Sequence, residues 1–284
     1  MGKKLCPPPP LTTRGTFDMT VHHAENTIKK NILEISYPDF VGAIGQNNTP
    51  PGGRKTVHRW IDQASINRSS FVLDLACSTG FSGREAHRDT GARVHGVDTS
   101  QPAIDMARTV AKGSSLLTYQ VADAAELPLS DGAFTHILAG CNFGFIQKRE
   151  KALQESARVL RPGGFLCTSF FYYVDTPPID LLNQVEEAIG YRPDSTRDYD
   201  YWKGFFGSKF ELSNEYRSPL KLLRNFQISR EVRRQVRKAP GLRGASYECK
   251  KAAEARLLGI RRVLNEHRRY QEVCISVWKR HDST

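Results

Sequence analysis

No stretch of this 284-residue chain approaches the roughly 18 consecutive apolar residues that a membrane helix needs. Cysteine is sparse: Cys6, Cys77, Cys141, Cys167, Cys249 and Cys274 form no C-x-x-C pair. That spacing disfavours a zinc ribbon or redox dithiol, and no metal is expected. The N-terminal "MGKKLCPPPPLTTRG" lacks the apolar core of a secretory signal, so reduced thiols in the cytoplasm are the expectation. A G-x-x-x-x-G-K-[ST] loop is also missing, which excludes a P-loop as a motif. Finally, excess charge is missing from most of the chain. Of the 41 basic and 30 acidic residues, 17 and 6 lie in 221–284, leaving 24 of each sign elsewhere. The whole surplus of +11 therefore sits in the last quarter, where it fits nucleic acid, an anionic substrate or a solvated helical face.

What is present supports a packed core, with 39% hydrophobic and 25% charged residues. Residues 1–15 read as a disordered Pro-rich tail. Residues 16–55 read as an N-terminal helix and loop. Apolar residues Phe17, Val21, Ala24, Ile28, Ile32 and Ile35 form one helical stripe, "YPDF" ends it at the residue before Pro38, and "NNTPPGG" is a loop. From residue 56 a short helix over "TVHRWIDQA" leads into a βα rhythm. "SFVLDLA", "ARVHGVD", "LLTYQVADA", "AFTHILAG" and "FLCTSFFYY" are strands, and helices fall between them, except between the third and fourth. The helix "KREKALQESARVL" is stopped by Pro162-Gly163-Gly164. "KFELSNEYRSP" and "EVCISVWKR" read as two late strands with basic helices between them, an insertion at about 220–270. Alternation of this kind implies an α/β, doubly wound, mostly parallel sheet.

"VLDLACSTGFSGREA", Val72 to Ala86, is a strand, a turn and a helix. Such a turn presents backbone N–H groups to a ligand. It is a poor G-x-G-x-x-G, because Ala76 and Ser78 stand where glycine is usual. Asp98 ends the next strand, where a carboxylate accepts ribose hydroxyls. It can also simply cap the following helix, and Asp123 can be an ordinary turn carboxylate. The Ala76 methyl is accommodated if φ stays negative there.

"VLDLACSTG", "VHGVDTS", "VADAAELPLSDGAFTHIL" and "ALQESARVLRPGGFL" resemble, in order and spacing over about residues 56–172, the motifs of the class I S-adenosylmethionine-dependent methyltransferases. "TPPGG" and "LNEHRRY" resemble features of that family's small-molecule, natural-product branch. The resemblance implies a Rossmann-like seven-stranded sheet and S-adenosyl-L-methionine as cofactor. Carried over, Asp74, Ala76, Cys77 and Gly80 would lie along the methionine part of the cofactor. Asp98 would hold the ribose, Thr99, Asp123 and Ala124 the adenine side, and Gly140 and Cys141 the methionine amino group. Thr135 stands where the family often has Asp.

Aromatic residues gather at the expected carboxyl ends of the fourth and fifth strands, as "NFGF" and "FFYYVD". Asn142, Phe171, Tyr172 and Tyr173 are accordingly candidates to line an acceptor pocket for an apolar or aromatic small molecule, methylated at O, N or C. His23 and Tyr37 are base candidates on or near the N-terminal helix, which folds over the site as a lid or crosses to a second copy in a homo-oligomer. Two alternatives stand beside this reading. One is an RNA or DNA methyltransferase, against which "CNFG" stands in place of [ND]-P-P-[YF]. The other is a non-catalytic binding protein on the same fold.

Overall fold

The computed structural model describes residues 34–47, 49–111 and 113–281. The Pro-rich tail, most of the helix expected over 17–35, and His22 and His23 lie outside the described residues. The first complete helix, α1 (Tyr37–Ala43), contains the "YPDF" segment that was expected to end one. Ser36 caps it, its Oγ accepting from the Asp39 N–H at 3.3 Å. Pro38 stands in the first turn, where a missing N–H leaves no helix bond unmade.

Next comes α2 (Arg54–Gln63), then the alternating unit: β1 (Phe71–Leu75), α3 (Phe81–Thr90), β2 (Arg93–Asp98), α4 (Gln101–Val110), β3 (Leu117–Val121), β4 (Phe134–Gly140), α5 (Arg149–Val159) and β5 (Leu160–Tyr173). Two helices follow, α6 (Ile179–Ile189) and the aromatic-rich α7 (Tyr199–Gly207). β6 (Phe210–Pro219) precedes α8 (Asn225–Lys238) and α9 (Tyr247–His267), and β7 (Gln271–Arg280) closes the chain. The seven strands lie in the order β3-β2-β1-β4-β5-β7-β6, with β7 antiparallel to both neighbours and β1 to β5 parallel. Arg161 to Gly164 do not form a separate turn. They bulge within β5, between the pairs Phe134–Leu160 and His136–Phe165.

Alternation along each strand builds a core on both faces of the sheet. In β1, Leu73 and Leu75 join the face covered by α5 and α7, whereas Val72 joins the face covered by α2 and α3. Thr135 has a use in this arrangement: its Oγ accepts from the Phe71 N–H and donates to the Phe71 carbonyl, both at 3.0 Å, extending the β1–β4 join.

A third cluster joins α1, α6, α8 and α9. In α8 the buried residues are Ile228, Val232 and Val236, an i, i+4, i+8 stripe. Burying each such side chain stabilises by about 1.5–3 kcal/mol. Like-charge repulsion among Arg230, Arg233, Arg234 and Arg237 on the helix surface costs only tenths of a kcal/mol per pair. The apolar stripe therefore decides the fold of this basic segment.

Candidate functional site

The carboxyl end of β1 runs into a turn that is left-handed at three positions: Ala76 (φ 47°), Ser78 (φ 49°) and Gly80 (φ 74°). The condition of a negative φ at Ala76 is thus not met. An L-residue held in this region costs on the order of 1–2 kcal/mol, so neighbouring contacts must impose it. They are numerous. The Cys77 N–H donates to the Val97 carbonyl at 2.9 Å, the Ser78 N–H to Asp98 Oδ2 at 2.8 Å, and the Gly83 N–H to Asp74 Oδ2 at 2.8 Å. Gly80 is required twice over, by its φ and because a Cβ there would lie 2.6 Å from the Tyr119 ring. Asp74 is 3% exposed, behind the turn and not along it. Burial pushes its carboxyl up to about 7, against the Gly83 N–H, which lowers it. Cys77 packs inward with Ile104, Ala107 and Tyr119, and burial pushes its thiol well up.

Asp98 is not the cap of α4. Ser100 is, accepting from the Ala103 N–H, while Asp98 Oδ1 accepts from the Ser100 N–H at 2.9 Å. The carboxylate thus ties the end of β2 to the turn after β1. Burial raises its pKa, opposed by the Ser100 and Ser78 N–H groups and reinforced by Asp39. Asp39, on α1, accepts from Ser100 Oγ at 2.7 Å, which brings α1 to the same corner. Thr99 is exposed beside it. Asp123 is exposed and accepts from the Ala125 N–H at 2.9 Å, an Asx-type turn, and Ala124 is buried.

Gln46, Asn47 and Pro50 lie over this corner. Thr79 Oγ donates to the Gln46 carbonyl at 3.0 Å, and Arg84 Nη2 to Asn47 Oδ1 at 3.0 Å. A Cβ on Gly140 would lie 3.2 Å from Pro50. Asn142 Nδ2 donates to the Leu75 carbonyl, locking the ends of β4 and β1 together. Two acceptors, Gln46 Oε1 and Asn142 Oδ1, are buried with no partner among the described residues. Unpaired buried acceptors of this kind cost about 1–3 kcal/mol each and fit a donor-bearing ligand.

Cys141 also adopts φ 60° and begins a cavity of about 110 Å³ at the carboxyl ends of β4 and β5. Phe170, Phe171, Tyr173 and Trp202 form its aromatic walls. Tyr172, a neighbour of Tyr173 in β5, points to the other face. Its hydroxyl donates to Glu272 at 2.6 Å and its ring packs against Tyr199, so it does not line the cavity. Tyr173 meets a residue that the sequence did not single out: its hydroxyl lies 2.8 Å from His267 Nε2, at the end of α9. Burial lowers the pKa of His267 to about 4, so the ring is neutral at pH 7. Tyr37 reaches the neighbourhood of Arg261 and Arg268, and burial raises its hydroxyl. Among the described residues no group of His, Cys, Asp and Glu side chains is arranged to hold a metal ion.

A mostly parallel sheet with a nucleotide-type turn after β1, a carboxylate at the end of β2 and a cavity beyond β4 defines a cofactor-dependent α/β enzyme class. The methyltransferase-domain family matches residues 73–168. The crystal structure of MccD protein is 38% identical, with a TM-score of 0.69 over 82% of this chain and 100% of MccD. A demethylmenaquinone methyltransferase of Thermus thermophilus is 38% identical over 110 residues, 38% of this chain and 50% of the relative. Methyltransferase GfsG of Streptomyces halstedii is 31% identical over 117 residues, 40% of this chain and 42% of the relative. This chain thus matches about half or less of the length of these two curated relatives. The chain belongs to the class I S-adenosylmethionine-dependent methyltransferases.

Proposed function

We propose that this protein transfers the methyl group of S-adenosylmethionine to a small molecule held in the cavity at Cys141. The observation that carries the reading is an adjacency: the turn 76–80, Asp98 and Asn142 gather at the carboxyl ends of β1, β2 and β4, and the aromatic-walled cavity begins at Cys141, next to Asn142 in sequence. The residues fit the cofactor. Asp98 would accept the ribose hydroxyls, and the unpaired Gln46 Oε1 and Asn142 Oδ1 would accept from the amino group. Thr99, Asp123 and Ala124 would flank the adenine, and the backbone of Ala76, Cys77, Gly80, Gly140 and Cys141 would follow the methionine part. When bound, S-adenosylmethionine supplies a methyl already activated on a sulfonium.

The chain's own task is then alignment and exclusion of water, which contributes up to about 7–11 kcal/mol to a two-substrate reaction. Phe170, Phe171 and Trp202 orient the acceptor and keep the cavity dry. Tyr173, hydrogen-bonded to His267, offers a fixed polar point in an otherwise aromatic wall. A histidine held near pKa 4 is a weak proton acceptor at pH 7, because general bases work best with a pKa near the operating pH. Positioning therefore outweighs proton removal for this pair. Natural-product substrates, a cytoplasmic site of action and a homo-oligomer built through the N-terminal segment belong to the same proposal.

Incubation with methyl-tritiated S-adenosylmethionine and a small-molecule extract tests it. Label is expected in low-molecular-weight products and not in RNA or DNA. Label confined to the nucleic acid fraction would overturn the small-molecule reading.

A further inference from the structure

Arg268 stands between two cavities. It follows α9 and lines the 110 Å³ cavity at Cys141 as well as a second cavity of about 200 Å³ between α8 and α9. Arg261 lies two helical turns earlier on the same face of α9 and lines the second cavity. The two guanidiniums are close enough to repel, and Arg268 also feels Cys141, Glu231 and Tyr37. Burial and the Arg261 charge both lower the pKa of Arg268. Neither guanidinium makes a hydrogen bond or ion pair with any described residue. Glu231, the carboxylate facing the same cavity, is exposed and pairs with neither. The other arginines nearby are engaged. Arg197, across the first cavity, lies 3.2 Å from Asp194, and Arg256 donates to the Ile35 carbonyl at 2.7 Å.

A half-buried cation normally has a partner, because desolvation without one is costly. Two such cations side by side add repulsion. An oxyanion relieves both terms, and a guanidinium is suited to bind one with two parallel hydrogen bonds. Arg268 also acts electrostatically on Cys141, so an anion on it would lie beside the carboxyl end of β4, where the acceptor reading places the transfer. The positive surplus of residues 221–284 raises the local concentration of anions at this side of the molecule.

We propose that the acceptor carries an oxyanion, phosphoryl or carboxyl, held by Arg268 and Arg261 while its aromatic or apolar part fills the cavity beside Tyr173. This rests on the acceptor occupying that cavity. It departs from a purely apolar substrate and gives the basic end of α9 a purpose.

Calorimetric or NMR titration of the full-length protein with phenyl phosphate, benzoate and phenol, in the presence of S-adenosylhomocysteine, tests it. At least one of the two anions is expected to bind tenfold or more tightly than phenol. Arg268→Gln and Arg261→Gln are each expected to erase most of that preference while leaving S-adenosylhomocysteine affinity unchanged. The tighter of the two anions assigns the group as phosphoryl or carboxyl. Equal binding of all three ligands, or an anion preference that survives both substitutions, would overturn the proposal. If Arg268→Gln does not fold, the comparison of the three ligands on the unaltered protein and on Arg261→Gln decides. Failure of S-adenosylhomocysteine to bind while an anion still binds would count against the transferase reading alone.

Discussion

Asp98 receives the backbone N–H of Ser78 at 2.8 Å, and through that bond the end of β2 shapes the turn after β1. The carboxylate holds a strained loop and, in the proposed cofactor site, would also accept the ribose hydroxyls. Hydrogen bonds to a charged group are worth about 1.5–3 kcal/mol, which corresponds to roughly 10- to 100-fold in affinity. Asp98→Ala is therefore expected to weaken S-adenosylmethionine binding at least tenfold by calorimetry. Unchanged affinity would remove Asp98 from the site.

The strain in the turn is separately measurable. Ser78 stands at φ 49°, and glycine occupies that region without a Cβ penalty. Ser78→Gly is expected to stabilise the fold by about 1 kcal/mol, offset in part by the greater freedom of glycine in the unfolded chain. Ser78→Val, branched at Cβ, is expected to destabilise by at least as much. Chemical denaturation measures both.

Asp74 makes a pH-dependent contribution whose sign is unusual for a carboxylate. Its folded pKa, about 7, lies above the ordinary value of 3.8, so the folded state holds the proton more tightly than the unfolded chain. The stability it contributes is full below about pH 4 and is lost as pH rises through 7. Relative to Asp74→Asn, the unaltered protein is expected to lose on the order of a few kcal/mol between pH 4 and pH 8. A constant difference across that range would contradict the assignment.

Tyr172 and Tyr173 separate structure from function within one strand. Tyr173→Phe removes the hydroxyl next to His267 and is expected to lower turnover about tenfold with little change in cofactor affinity. Tyr172→Phe loses the bond to Glu272 and is expected to cost about 1 kcal/mol of stability while turnover stays the same. Steady-state kinetics and denaturation of the two variants check the contrast, and a reversed pattern would place the acceptor on the other face of β5.

These two tyrosines also mark how far the sequence could be read. The apolar runs of β1 to β5 and the glycines that close the helices are local signals, and they placed the sheet and the turn correctly. Alternation says that Tyr172 and Tyr173 face opposite ways. It does not say which face borders a cavity, because that depends on where α6, α7 and α9 pack. The helix that begins at "YPDF" was missed because a proline ends one helix and begins another with equal ease, and the Ser36 cap three residues before Asp39 is its local signal. His267 and Arg268 were illegible as site residues. They lie more than 120 residues beyond Cys141, and only the packing of α9 over the sheet brings them to it. The departures at 76 and 78 were visible, yet their conformation was not, since the contacts that impose a positive φ come from Val97 and Asp98 on the next strand.

The central claim is that the cofactor corner and the Cys141 cavity form one continuous site. A crystal structure of the protein with S-adenosylhomocysteine tests this most directly. The account predicts the ribose hydroxyls on Asp98, the amino group near Asn142 and Gln46, and the sulfur open to the cavity that Tyr173 lines. A complex in which the sulfur is walled off from that cavity, or in which the ligand lies elsewhere, would contradict it.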